Sequence, residues 1–128
     1  NHFNNIKPLL ANRVPFSLHE EAGASKKVLV GAIDYAKQDH VVMFCNGNGD
    51  ILRKPFPVKN TIEGVDFLLT QMDGTCRYHK INPKHAFFGG EDCGSYTENF
   101  AERLRDRGYV VAGVNAEEAK KQRENMQA

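Results

Sequence analysis

The sequence predicts an α/β domain built on a mixed five-stranded sheet with helices packed on it. Three observations carry this expectation. A continuous apolar run, Val28-Leu29-Val30-Gly31-Ala32-Ile33, ends in Asp34 and suits a strand buried on both faces. Two further strand-like segments follow it with only turn residues between them. The rest of the chain alternates helix, strand, helix, strand, helix, an order that sets the later strands parallel to the first.

Ahead of the first strand, residues 1–26 mix Asn, Pro and short apolar pieces such as Ile6, Leu9, Leu10, Val14 and Phe16. They show no sustained period and read as an amino-terminal arm or linker leading into a domain over residues 27–128. His40-Val41-Val42-Met43-Phe44-Cys45 is the second strand, and Asn46-Gly47-Asn48-Gly49-Asp50 is a turn of residues that tolerate positive φ. Ile51 to Val58 makes the third strand; Pro55 and Pro57 lack an N–H for a ladder, which sends this strand to a sheet edge. Asn60 and Glu63 form a capping-box variant, and Ile62, Val65, Leu68, Leu69 and Met72 follow at helical spacing, so a helix is expected over about residues 61–72.

His85-Ala86-Phe87-Phe88-Gly89-Gly90 is a short buried strand ending at Glu91-Asp92. Ser95 to Arg107 carries Tyr96, Phe100, Ala101 and Leu104 on one face, with Gly108 placed to terminate a helix. Tyr109 to Val114 is the fifth strand, and Asn115 with Glu118 is a second cap signature that opens a last helix. Three meandering strands followed by this alternation is the order of an RNase H-like (RuvC-like) sheet.

Composition narrows the classes. With 128 residues, 41% hydrophobic and 26% charged, the chain fits one compact domain. No stretch approaches the roughly 18 uninterrupted apolar residues of a membrane span, and no secretory signal opens it, so a cytoplasmic location is expected. Three cysteines, Cys45, Cys76 and Cys93, form no C-x-x-C pair, which argues against a disulfide framework. A net charge of +1 argues against a strongly basic nucleic-acid surface. Local clusters remain at Lys26-Lys27, Arg103/Arg105/Arg107 and Lys120-Lys121/Arg123, for each of which solvated helix and strand ends are the plainer account.

The chemistry rests on the acids. If the first and fourth strands lie side by side and parallel, Asp34 and Glu91 emerge together at one sheet edge. Two carboxylates so placed repel one another unless a cation such as Mg²⁺ or Mn²⁺ neutralises them. Paired metals there could clamp a phosphodiester for in-line displacement. The plainer alternative is two acids capping strand ends in water. Asp92 adjoins Glu91 but points to the opposite face. Lys37, in the turn after Asp34, could meet a phosphate or remain solvated.

Val30-Gly31-Ala32-Ile33-Asp34-Tyr35-Ala36-Lys37 resembles the "G-I-D-x-x-K" opening of the DEDD-type insertion-sequence transposases, which include the pilin-gene invertases. Glu91-Asp92-Cys93-Gly94-Ser95-Tyr96, then Gly108-Tyr109-Val110-Val111 and Val114-Asn115, is similar to that family's later block. The resemblance implies a RuvC-like amino-terminal domain for DNA transposition, with catalytic and metal-binding roles for Asp34 and Glu91 and a weakly held Mg²⁺ or Mn²⁺. It also implies mobile-element DNA as partner, a guide RNA in some members, a homo-oligomer, and nucleic-acid contacts from Lys37, Arg103, Arg105 and Arg107. The family's last two acids lie in a "T-D-x-x-D" segment, whereas only Glu117, Glu118 and Glu124 follow Asn115 here. The domain is therefore expected to be truncated and inactive in strand cleavage.

Two other classes stay open. An actin-like or sugar-kinase-type nucleotide-binding domain also opens with a strand, an acid and a hairpin, although it carries a Gly and a Thr or Ser where Tyr35-Ala36-Lys37 stands. A non-catalytic nucleic-acid-binding module is the other. Cys76, His79, His85 and Cys93 follow no zinc spacing and read as core and loop residues.

Overall fold

The computed structural model describes residues 2–127. Its sheet contains five strands, β1 (Leu29–Asp34), β2 (Asp39–Asn46), β3 (Ile51–Lys59), β4 (Ala86–Glu91) and β5 (Val110–Val114), in the order β3-β2-β1-β4-β5. Tight connections make β1–β2 and β2–β3 antiparallel, and helical crossovers make β1–β4 and β4–β5 parallel, so the expected mixed sheet forms. β3 lies at an edge, as its two prolines require. The turn before it is held by Asn46, whose side-chain oxygen accepts the N–H groups of Asn48 (2.9 Å) and Asp50 (3.1 Å).

Both faces of the sheet are covered. On the first face, Leu29, Ile33, Phe44 and Phe88 meet α3 (Ile62–His79) and α4 (Ser95–Asp106). On the second, Val30, Ala32, Met43 and Phe87 meet α1 (His2–Ala11) and Ala119 of α5 (Ala116–Gln127), and α2 (Phe16–Ala22) follows α1. No helix among the described residues is long and apolar enough to cross a membrane.

This second face corrects the reading of residues 1–26 as an arm. Phe3, Ile6 and Leu10 form a buried stripe along α1, too short to register as a period and interrupted by Pro8. Leu10 crosses the sheet at Gly89, where any Cβ would run into its Cδ2 atom. A Cβ at Gly89 would also lie 3.0 Å from Ala112 O, so Leu10 and β5 both close in on this position.

The helices also differ in detail. α3 runs to His79, past the expected end near residue 72, because Cys76 prolongs the Leu68–Met72 stripe by one turn and Gly74 sits harmlessly on the exposed side. Its N-cap is Thr61, whose hydroxyl accepts from Gly64 N–H at 2.9 Å, rather than Asn60. In α4 the buried face is Thr97, Phe100, Ala101 and Leu104, and Tyr96 is 41% exposed. Thr97 can be buried because its hydroxyl accepts the Cys93 N–H at 2.7 Å. Asn115 and Glu118 form the expected capping box, each accepting the other's backbone N–H.

His40 is a buried ionisable group packed against the first-face core. It is fully buried, with its ring 5.4 Å from Tyr35 and 4.4 Å from Phe100, and its Nδ1 accepts the Ala36 N–H at 2.9 Å. Burial holds its pKa below the ordinary histidine value, outweighing the opposing pull of Asn60, Asp34 and Asp39.

Two outcomes follow from this packing. Leu10→Ala should lower the unfolding free energy by about 2–5 kcal/mol in urea denaturation, the range for emptying a buried leucine site. A loss below about 0.5 kcal/mol, the scale of an inconsequential surface change, would return residues 1–26 to a loose arm. For His40, the unfolded chain takes up a proton that the folded chain resists. Its contribution to stability is therefore full above about pH 6.5 and is lost progressively as the pH falls below that value. The urea midpoint should drop between pH 7.5 and 5.5, and less so in His40→Asn; equal drops in both would refute the assignment.

Candidate functional site

The parallel register of β1 on β4 pairs Leu29 with Ala86 and ends with Ile33 opposite Gly90. Asp34 and Glu91 are the next residues on the two strands, at the same end of the sheet. Ile33 belongs to the first-face core, so strand alternation turns both acids toward the α1 and α5 face. His2, at the start of α1, places its Nε2 3.9 Å from Asp34 Oδ1, and the Asp34 side chain remains 45% exposed. Glu91 is half-buried and pairs across β5 with Val114. Asp92 belongs to the turn into α4: its N–H bonds Val114 O at 2.8 Å and its carboxylate accepts from Gly94 N–H at 3.2 Å.

Cys93 reports the local field. Desolvation, together with the carboxylates of Glu91, Asp34 and Asp92, pushes its exposed thiol up, as expected beside a concentration of negative charge. Asp34 and Glu91 are the side chains here that could supply hard oxygen donors of the kind Mg²⁺ or Mn²⁺ takes.

The turn from β1 to β2 flanks the acids. Asn60 braces it from β3's end, donating from Nδ2 to Lys37 O at 3.1 Å and from its N–H to Gln38 O at 2.8 Å. Lys37 itself is exposed. Tyr35 is a core residue, packed so closely on Gly90 that a Cβ there would lie 2.8 Å from its Cε2. Burial drives its phenol far above its ordinary pKa, so it stays protonated.

The other expected site residues are engaged elsewhere. Arg105 donates to Val111 O at 2.8 Å and lies 3.8 Å from Glu102, and Arg107 pairs with Asp66 at 2.6 Å. Arg103 is half-buried. Arg105 and Arg107 hold these partners while remaining exposed. Glu118 of the last helix caps Asn115 and is bound by Arg13, whose guanidinium holds its carboxyl below the usual range. Among the described residues no group of three or more His, Cys, Asp and Glu side chains is placed to hold a metal, so neither a four-acid centre nor a zinc site is assembled. Cys76 is buried in the core of α3. The bracing of the β1–β2 turn by His40 and Asn60 was not anticipated; the nearest signal was a polar His at the head of an otherwise apolar strand.

No family model and no curated protein matches this sequence. Among solved structures, the chain is similar to a Ppx/GppA family member of Aquifex aeolicus, with TM-score 0.39 and 12% identity over 70% of this chain and 35% of that one. A second structure of the Aquifex aeolicus PPX-GPPA enzyme gives TM-score 0.37 and 13% identity over 69% and 36%. An exopolyphosphatase from Cytophaga hutchinsonii gives 0.39 and 16% over 68% and 34%. The chain spans about a third of the length of these proteins. They are not transposases. The expected DEDD transposase identity, with its transposition, recombination and DNA-binding roles, is corrected: no family model or curated protein supports it, and these solved structures are of Ppx/GppA and exopolyphosphatase proteins.

Proposed function

We propose that this chain is a nucleotide-binding domain of the actin-like or sugar-kinase class, in which Asp34 and Glu91 carry Mg²⁺ or Mn²⁺ against the phosphates. The actin-like sheet is the finer fold that goes with this reading, in place of the RuvC-like one. The observation that supports it is the placement of two carboxylates at the same end and on the same face of neighbouring parallel strands, beside a braced hairpin turn.

The chemistry is electrostatic. A divalent cation held by carboxylates at neighbouring strand ends would offset their like charge and attract phosphate oxygens. Two carboxylates leave most of the cation's positions to other oxygen donors, which suits a ligand that brings its own. Lys37, on the turn three residues beyond Asp34, adds a point charge for the same phosphates. Tyr35-Ala36-Lys37 departs from the Gly and Thr or Ser of this class, so the lysine and the cation take over what a hydroxyl and close backbone would supply. A nucleoside triphosphate and an inorganic polyphosphate offer the same oxygen atoms to this arrangement.

Calorimetric titration should show binding of ATP and of tripolyphosphate that requires Mg²⁺. Asp34→Asn and Glu91→Gln should each weaken it at least about tenfold, the scale of one lost charge-assisted contact, with unchanged circular dichroism. ATP binding stronger than that of tripolyphosphate would mark a nucleotide site. Absence of Mg²⁺-dependent binding in the wild-type chain, or unchanged affinity in both variants, would overturn the proposal.

A further inference from the structure

We infer that His40 is a positioning residue for the phosphate site, acting through the Ala36 amide to hold the β1–β2 turn in the form that presents Asp34 and Lys37. This rests on the nucleotide-binding reading above. The turn has three anchors. His40 Nδ1 accepts the Ala36 N–H at 2.9 Å, and Asn60 holds the carbonyls of Lys37 and Gln38 at 3.1 and 2.8 Å. Ala36 lies between the acid-terminated strand and the lysine, so its anchor governs both.

The imidazole is a costly way to fill this place. It is fully buried between the rings of Tyr35 and Phe100; the Asn60 side chain bears on the ring, but Nε2 makes no hydrogen bond of good geometry. Because Nδ1 accepts, the proton of the neutral ring resides on Nε2, the buried nitrogen. An apolar ring of similar size would pack in the same aromatic setting without that desolvated N–H. What it would lose is the acceptor for Ala36. A core position that gives up stability for one backbone hydrogen bond beside a ligand-facing turn has the pattern of a site residue.

This separates stability from binding. His40→Phe keeps ring shape and removes the acceptor, whereas His40→Asn keeps an acceptor oxygen near the position of Nδ1. Expected in His40→Phe are a urea midpoint equal to or above wild type, loss of hydrogen-exchange protection at the Ala36 amide, and Mg²⁺-ATP affinity reduced about tenfold. His40→Asn should restore the Ala36 protection and bring the affinity to within about threefold of wild type, a small fraction of one hydrogen bond. Retained Ala36 protection in His40→Phe, or unchanged affinity there, would overturn the positioning role. Should wild type bind no Mg²⁺-ATP, the nucleotide-binding reading fails. The role of His40 in setting the turn is then judged on ligand-free protein, by Ala36 exchange and by the Asp34 and Lys37 amide resonances, which must move in His40→Phe and not in His40→Asn.

Discussion

The structure depends on covering a sheet that is apolar on both faces. Leu29, Ile33 and Phe88 turn one way, and Val30, Ala32 and Phe87 turn the other, all with almost no exposure. A strand buried on both sides stays in place only if a layer lies on each face. α3 and α4 supply the first layer from the crossovers that make the sheet parallel. The second has no crossover of its own, and α1, from ahead of the first strand, fills it together with the start of α5. The Arg13–Glu118 ion pair ties the turn after α1 to α5 at the rim.

That arrangement decides where polar chemistry can occur. Along β1 and β4 both faces are closed, so charge is tolerated only past the last core pair, Ile33 and Gly90. There the two carboxylates share one edge, and the neighbouring turn is built from Tyr35 and His40 packed inward and Lys37 left outside. The inward pair ties the geometry of the turn to the core. A displacement of Phe100 or of α4 would reach the turn through His40.

Part of the motif likeness to transposases has a physical origin in the same rules. Apolar strands with glycines at close approaches and a helix stopped by Gly108 suit neighbouring parallel strands and close helix packing. They do not report on the last helix. There Glu118 is absorbed by the Asn115 cap and by Arg13, so the acids of α5 do not complete a metal centre with Asp34 and Glu91.

Features that depend on local spacing can be read from the residues alone. The buried first strand, the edge placement of β3 by Pro55 and Pro57, the Asn-Gly turn, the Asn115–Glu118 cap and the acidic strand ends were all legible, because each is set by a few neighbouring residues. Tertiary structure alone decided the rest. The stripe of Phe3, Ile6 and Leu10 acquires meaning only when Gly89 lies beneath it, and Cys76 counts as core only because α3 has a sheet to follow for another turn. Thr97 displaces Tyr96 from the buried face because Cys93 offers an N–H for its hydroxyl. Arg105 and Arg107 lose their freedom to partners at Val111 and Asp66, one close in sequence but on another element and one far away. In each case the deciding group comes from a different element, whose position periodicity along a single segment does not encode.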